Sequence, residues 1–180
     1  MTVELEVIPT NERSFSWTEV CLEMNSYTQD KIPLSVKNVE LVDVATGRLV
    51  EKDELLTPPH YYGIDLAGKK SLEIDFTKNV DSETDEMMFL DDFATQRFNG
   101  NLAELASAWK KIGYSCIIST HPRRHADEPY FVIVLAIAIA RLCDGAIVVK
   151  SNNSFSKPVG IYSPAEFSDV SPLFSGVSET

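Results

Sequence analysis

Ten consecutive apolar residues, Phe131 to Ala140, followed across Asp144-Gly145 by a second apolar stretch, Ala146 to Val149, fix the centre of whatever this chain folds into. A bilayer-spanning helix needs roughly 20 such residues, so the run is a core element and gives no reason to expect a membrane partner. Two arrangements compete for it. Large and small residues alternate from Leu135 to Ala140, and Asp-Gly is a favoured two-residue turn, which together describe a long β-hairpin. Asp127-Glu128-Pro129, by contrast, supplies an acidic cap, an acid in the first turn and a proline that needs no N–H there, with Gly145 as the matching stop. The span from Asp127 to Cys143 also exceeds the usual strand length of about 5 or 6 residues, which favours helix then strand. A helix apolar on every side must be covered around most of its circumference.

Charge narrows the partners. With 27 acids against 16 bases the formal net charge is −11, and the clusters of Lys and Arg that grip phosphate are missing, so nucleic acid is excluded as the expected ligand. A basic partner protein suits this balance. Cys21, Cys116 and Cys143 lie far apart in apolar neighbourhoods, as buried free thiols do in a reducing compartment. MTVELEVIP lacks the basic start and apolar stretch of a signal peptide, so the expected location is the cytoplasm.

Along the chain, Val3, Leu5 and Val7 alternate with Thr2, Glu4 and Glu6 as a strand with one wet face. Ser16 and Glu19 form a capping box ahead of Trp17, Val20, Cys21 and Met24, spaced as a helix stripe. Val36 to Val50 reads as a hairpin turning near Ala45 to Arg48, Glu51 to Pro59 as a loop, and Tyr62–Leu66 with Leu72–Phe76 as a second hairpin whose Asp65, Glu73 and Asp75 face outward. Asn101 to Gly113 is a helix with Leu102, Leu105, Ala106 and Trp109 on one stripe, Tyr114 to Ser119 a strand, and Gly160-Ile161-Tyr162 a short element. The order predicts an α+β fold. Its mixed, mainly antiparallel sheet carries about three helices on one face, a ferredoxin-like variant with one right-handed βαβ crossover through the central helix. At 180 residues this is a single domain, 1–180, with the Ser/Pro-rich segment 151–180 packed on it.

No motif for catalysis stands out. Gly63 to Lys70 approaches a phosphate-binding loop, but Lys70 stands where Ser or Thr is needed and a strand rather than a helix follows. His121, Arg123, Arg124 and His125 concentrate positive charge that could grip a phosphate or carboxylate, while Pro122 disfavours the turn that would bring the histidines together on a metal. His60 beside Tyr61 and Tyr62 offers acid–base groups without a partner nucleophile. The run Asp81, Glu83, Asp85, Glu86, Asp91, Asp92 lacks the central glycine of a calcium loop, which leaves a solvated face or a protein-binding patch. No cofactor and no metal ligand set is expected.

The C-terminal portion, with its Asn101-Leu102-Ala103-Glu104-Leu105 helix start, the stretch Ala138 to Val148 and Gly160-Ile161-Tyr162-Ser163-Pro164-Ala165-Glu166-Phe167, resembles small bacterial immunity proteins. These are the antidotes of polymorphic, contact-dependent or type VI secreted toxins. The resemblance implies a non-catalytic protein that occludes a toxin's active site or an exosite, and it carries over no functional residue. The expected function is therefore binding and neutralising a basic partner, a secreted toxin domain, through Asp81, Glu83, Asp85, Glu86, Asp91 and Asp92, with Asp65, Glu73 and Asp75 as a second acidic face. The alternatives are a small enzyme working on an anionic substrate through the His/Arg groups, and a self-associating assembly subunit; homodimer formation stays open.

Overall fold

The computed structural model describes residues 2–28, 39–66, 70–78, 100–120, 128–150 and 154–172. Nine strands occur among them: β1 Glu4–Ile8, β2 Phe15–Ser16, β3 Val39–Asp43, β4 Leu55–Leu56, β5 Tyr61–Leu66, β6 Lys70–Lys78, β7 Tyr114–Thr120, β8 Ala146–Val149 and β9 Gly160–Tyr162. Three helices accompany them, α1 Trp17–Thr28, α2 Leu102–Ile112 and α3 Glu128–Leu142. Seven strands make one sheet in the order β3-β5-β6-β7-β1-β8-β9, and β2 pairs with β4 apart from it.

The central run is a helix followed by a strand, as its cap signals require. Every residue from Phe131 to Ala140 is buried, because β1, β6, β7 and β8 lie on one side of α3 and α1 lies on another. Gly145 has a different role from the one the sequence suggests. Asp144 takes the left-handed conformation at φ 47, with the Gly145 N–H bonded to Ala140 O at 2.7 Å. A Cβ on Gly145 would stand 2.6 Å from Ile8 O, so glycine is needed there for the close approach of β1.

Every neighbouring pair in the large sheet is antiparallel. The crossover through α3 joins β7 to β8, which run parallel to each other with β1 between them. Taken in chain order, β1-α1-β6-β7-α3-β8 fill the spatial order β8-β1-β7-β6, the split βαβ pattern of a ferredoxin-like sheet. Here β5 and β3 extend it at one edge and β9 at the other. The loop read from Glu51 to Pro59 contains β4, and the return after β3 is only an isolated bridge, Val42 to Leu49.

The helices do not all share one face. Val3, Leu5, Val7, Leu72, Ile74, Phe76, Cys116 and Ile118 form the main core with α1 and α3. The alternate residues Ile8, Ala146, Val148 and Ile161 are apolar too, and α2 covers them from the opposite face with Leu102, Leu105 and Trp109. Because both faces of the sheet are apolar at that end, one helix had to cross to the far side. Asn101 caps α2 through Oδ1 at 3.1 Å from Ala103 N and 3.3 Å from Glu104 N, and Gly113 ends it at φ 77.

Candidate functional site

The face of the sheet that turns away from α1 and α3 carries the outward residues of β3, β5, β6, β7 and β1. Strand alternation puts Asp65, Glu73 and Asp75 there together, as the sequence predicts, and adds Glu40, Glu4 and Glu6. The register sets them in rows. Glu40 stands directly opposite Asp65; Glu73 is followed by Ser119 and then Glu4; Tyr61, Asp75, Ile117 and Glu6 form the next row. Strands lie about 4.8 Å apart, so Glu73 and Glu4, two strands from each other, are roughly 10 Å apart. Asp65, Glu73, Asp75 and Glu6 are half-buried, while Glu40 and Glu4 are exposed.

Two of these carboxylates have clear local partners. Lys150 Nζ lies 2.7 Å from Glu6 Oε2. The Tyr61 hydroxyl donates to Glu73; burial and then this bond raise its pKa far above the usual tyrosine value. Asp65 differs from both. Its Oδ1 is buried without a hydrogen-bond partner, and in the register Asp65 stands between a like charge, Glu40 on β3, and an opposite one, Lys70 on β6. The cost the fold carries at this place is the unpartnered buried oxygen.

The larger acidic run, Asp81 to Asp92, and the loop of His121, Arg123, Arg124 and His125 lie outside the described residues. His60 is described, and it has a partner that the sequence did not reveal: its Nε2 lies 3.0 Å from Asp43 Oδ2, with the ring 5.1 Å from that of Tyr62. Asp43 Oδ1 accepts the Ala45 and Thr46 N–H groups at 2.9 and 3.2 Å, and the His60 bond first, then the turn amides, hold its carboxyl down at about 2 against an ordinary 3.8. This pair ties the turn after β3 to the chain entering β5, and it orients an imidazole as acid–base catalysts require.

The thiols are poor nucleophiles. Burial pushes Cys21 up to about 11, Cys143 up to about 12 and Cys116 well above its ordinary value. Among the described residues no group of three His, Cys, Asp or Glu side chains is placed to hold a metal ion, and no helix is long and apolar enough to cross a membrane.

Fold and face together define a ferredoxin-like α+β protein with a carboxylate-lined sheet surface. No family model, no curated protein and no solved structure matches the chain.

Proposed function

We propose that this is a non-catalytic cytoplasmic binding protein that receives a basic partner protein on its carboxylate-lined face. The observation that carries the reading is the gathering of Glu40, Asp65, Glu73, Asp75, Glu4 and Glu6 on one sheet face, whose exposed members Glu40 and Glu4 are open to a partner's lysine or arginine. The sequence resemblance of the C-terminal part to small bacterial immunity proteins is the ground for taking a toxin as that partner, neutralised by occlusion of its active site or an exosite. The test uses the full chain as immobilised bait for lysate of the source cells at low and then high salt. One stoichiometric basic protein, released by salt and inhibited by the chain in a nuclease or transferase assay, is the expected result. Capture of an acidic protein, or of a basic enzyme whose activity the chain leaves untouched, would count against it.

The His60–Asp43 pair supports a second reading, a small enzyme acting on an anionic substrate. A metabolite turned over by the wild-type chain and not by His60→Ala would favour that reading over the first.

A further inference from the structure

Among the described residues, two of the three large exposed apolar side chains gather at one groove by the edge strand β3. Among the described residues the large apolar side chains left in solvent are Leu22, 63% exposed, with Leu49 and Leu55, each 53% exposed. Leu22, from α1, and Leu49, from the return after β3, line a single groove of about 610 Å³ together with Trp17, Val39, Leu41 and Val50. Two leucines from different elements converging on one unfilled groove leave apolar surface in water that a bound side chain would cover. Glu40 and Glu51 stand at the same groove, with Lys52 the one cation among its described lining residues. Glu40 is also the outermost carboxylate of the acidic rows, opposite Asp65, so the groove on the α1 side and the acidic face on the other meet at the edge strand β3.

We infer that the groove seats an apolar side chain of a basic partner segment, the cationic residues of which lie on the carboxylate face. This rests on the binding reading above and adds to it the place of the apolar anchor. The arrangement is the common one for protein interfaces, in which a buried apolar contact sits beside a charged rim. Charge complementarity selects the occupant: an apolar segment flanked by acids would meet Glu40 and Glu51 with repulsion.

The test is a titration of the full ¹⁵N-labelled chain with three short peptides, one alternating Lys with Leu, one Lys with Ser, one Glu with Leu. The Lys/Leu peptide should move the amide resonances of Cys21, Leu22, Val39, Leu49 and Val50, and the Lys/Ser peptide only those of the acidic rows. Leu22→Ser with Leu49→Ser should weaken the Lys/Leu peptide about tenfold while leaving the urea midpoint in place, since both side chains are in solvent. Three outcomes overturn the inference: groove resonances that stay still with Lys/Leu, a Glu/Leu peptide that binds as tightly, or a wild-type dimer that the double substitution converts to monomer. Failure of Lys/Ser to perturb Glu73 and Asp75 would count against the carboxylate face alone, so the two claims fail separately.

Discussion

Replacing Glu40 by lysine should make the protein more stable and a worse binder, and the size of the gain can be worked from the register. Glu40 and Asp65 are direct cross-strand neighbours, so their Cβ atoms lie about 4.5 to 5.5 Å apart and their carboxylates roughly 6 Å apart. In a water-like dielectric, two unit charges at that distance repel by about 0.7 kcal/mol, and a salt concentration of about 0.15 M halves the figure. Glu40→Lys exchanges that repulsion for an attraction of similar size, a swing of about 1 kcal/mol at low salt, worth roughly 2 to 4 °C in Tm for a domain of this size. Glu40→Gln should give about half the gain. Thermal unfolding of the three proteins at about 0.02 M and about 1 M salt makes the comparison, and the differences should largely vanish at the higher value. A lysine variant no more stable than the glutamine one, or a gain indifferent to salt, would refute the like-charge argument for this pair.

Other consequences follow from the same geometry. Gly145→Ala drives a Cβ into Ile8 O and should lower stability by about 1 to 3 kcal/mol in urea unfolding, as overpacking against backbone does. Asn101→Ala removes the acceptor for two N–H groups at the start of α2 and should cost about 1 kcal/mol by the same assay. The Asp43 carboxyl is lowered in the folded state, so its contribution is present above the unfolded value of 3.8 and is lost as pH falls through about 2; the stability gap between wild type and Asp43→Asn should narrow over that window. At about pH 8 a thiol reagent should label Cys116 and Cys143 only on unfolding and Cys21 slowly, and rapid native labelling of Cys143 would contradict its burial beneath Gly145.

Much of this architecture was legible because local signals agreed with one another. The start signals Glu128-Pro129 and the unbroken apolar run that follows pointed to one buried helix. Ser16 and Glu19 do form the reciprocal capping box, at 2.8 Å from Ser16 N to Glu19 Oε2 and 3.3 Å from Glu19 N to Ser16 Oγ. Alternation in β5 and β6 correctly placed Asp65, Glu73 and Asp75 on the face opposite the core. What escaped the sequence was long-range. The insertion of β1 between β7 and β8 depends on pairing partners more than a hundred residues away, and no local pattern encodes it. The position of α2 follows from Ile8, Ala146, Val148 and Ile161 meeting only in the assembled sheet. Asp43 and His60 are separated by 17 residues, and nothing in either neighbourhood announces the other. Glu4 and Glu6 were visible as a wet strand face; only register shows that they extend the rows begun by Asp65, Glu73 and Asp75.

Binding through the sheet's carboxylates is the central claim, and the rate of partner association tests it most directly. Asp65→Asn, Glu73→Gln and Asp75→Asn, combined in one chain, remove the charges while keeping side-chain size in half-buried positions. The account predicts that the protein recovered from the bait associates with the wild-type chain at least about tenfold faster than with this variant in dilute salt, and that the two rates converge near about 0.5 M salt. Equal rates at low salt would contradict it.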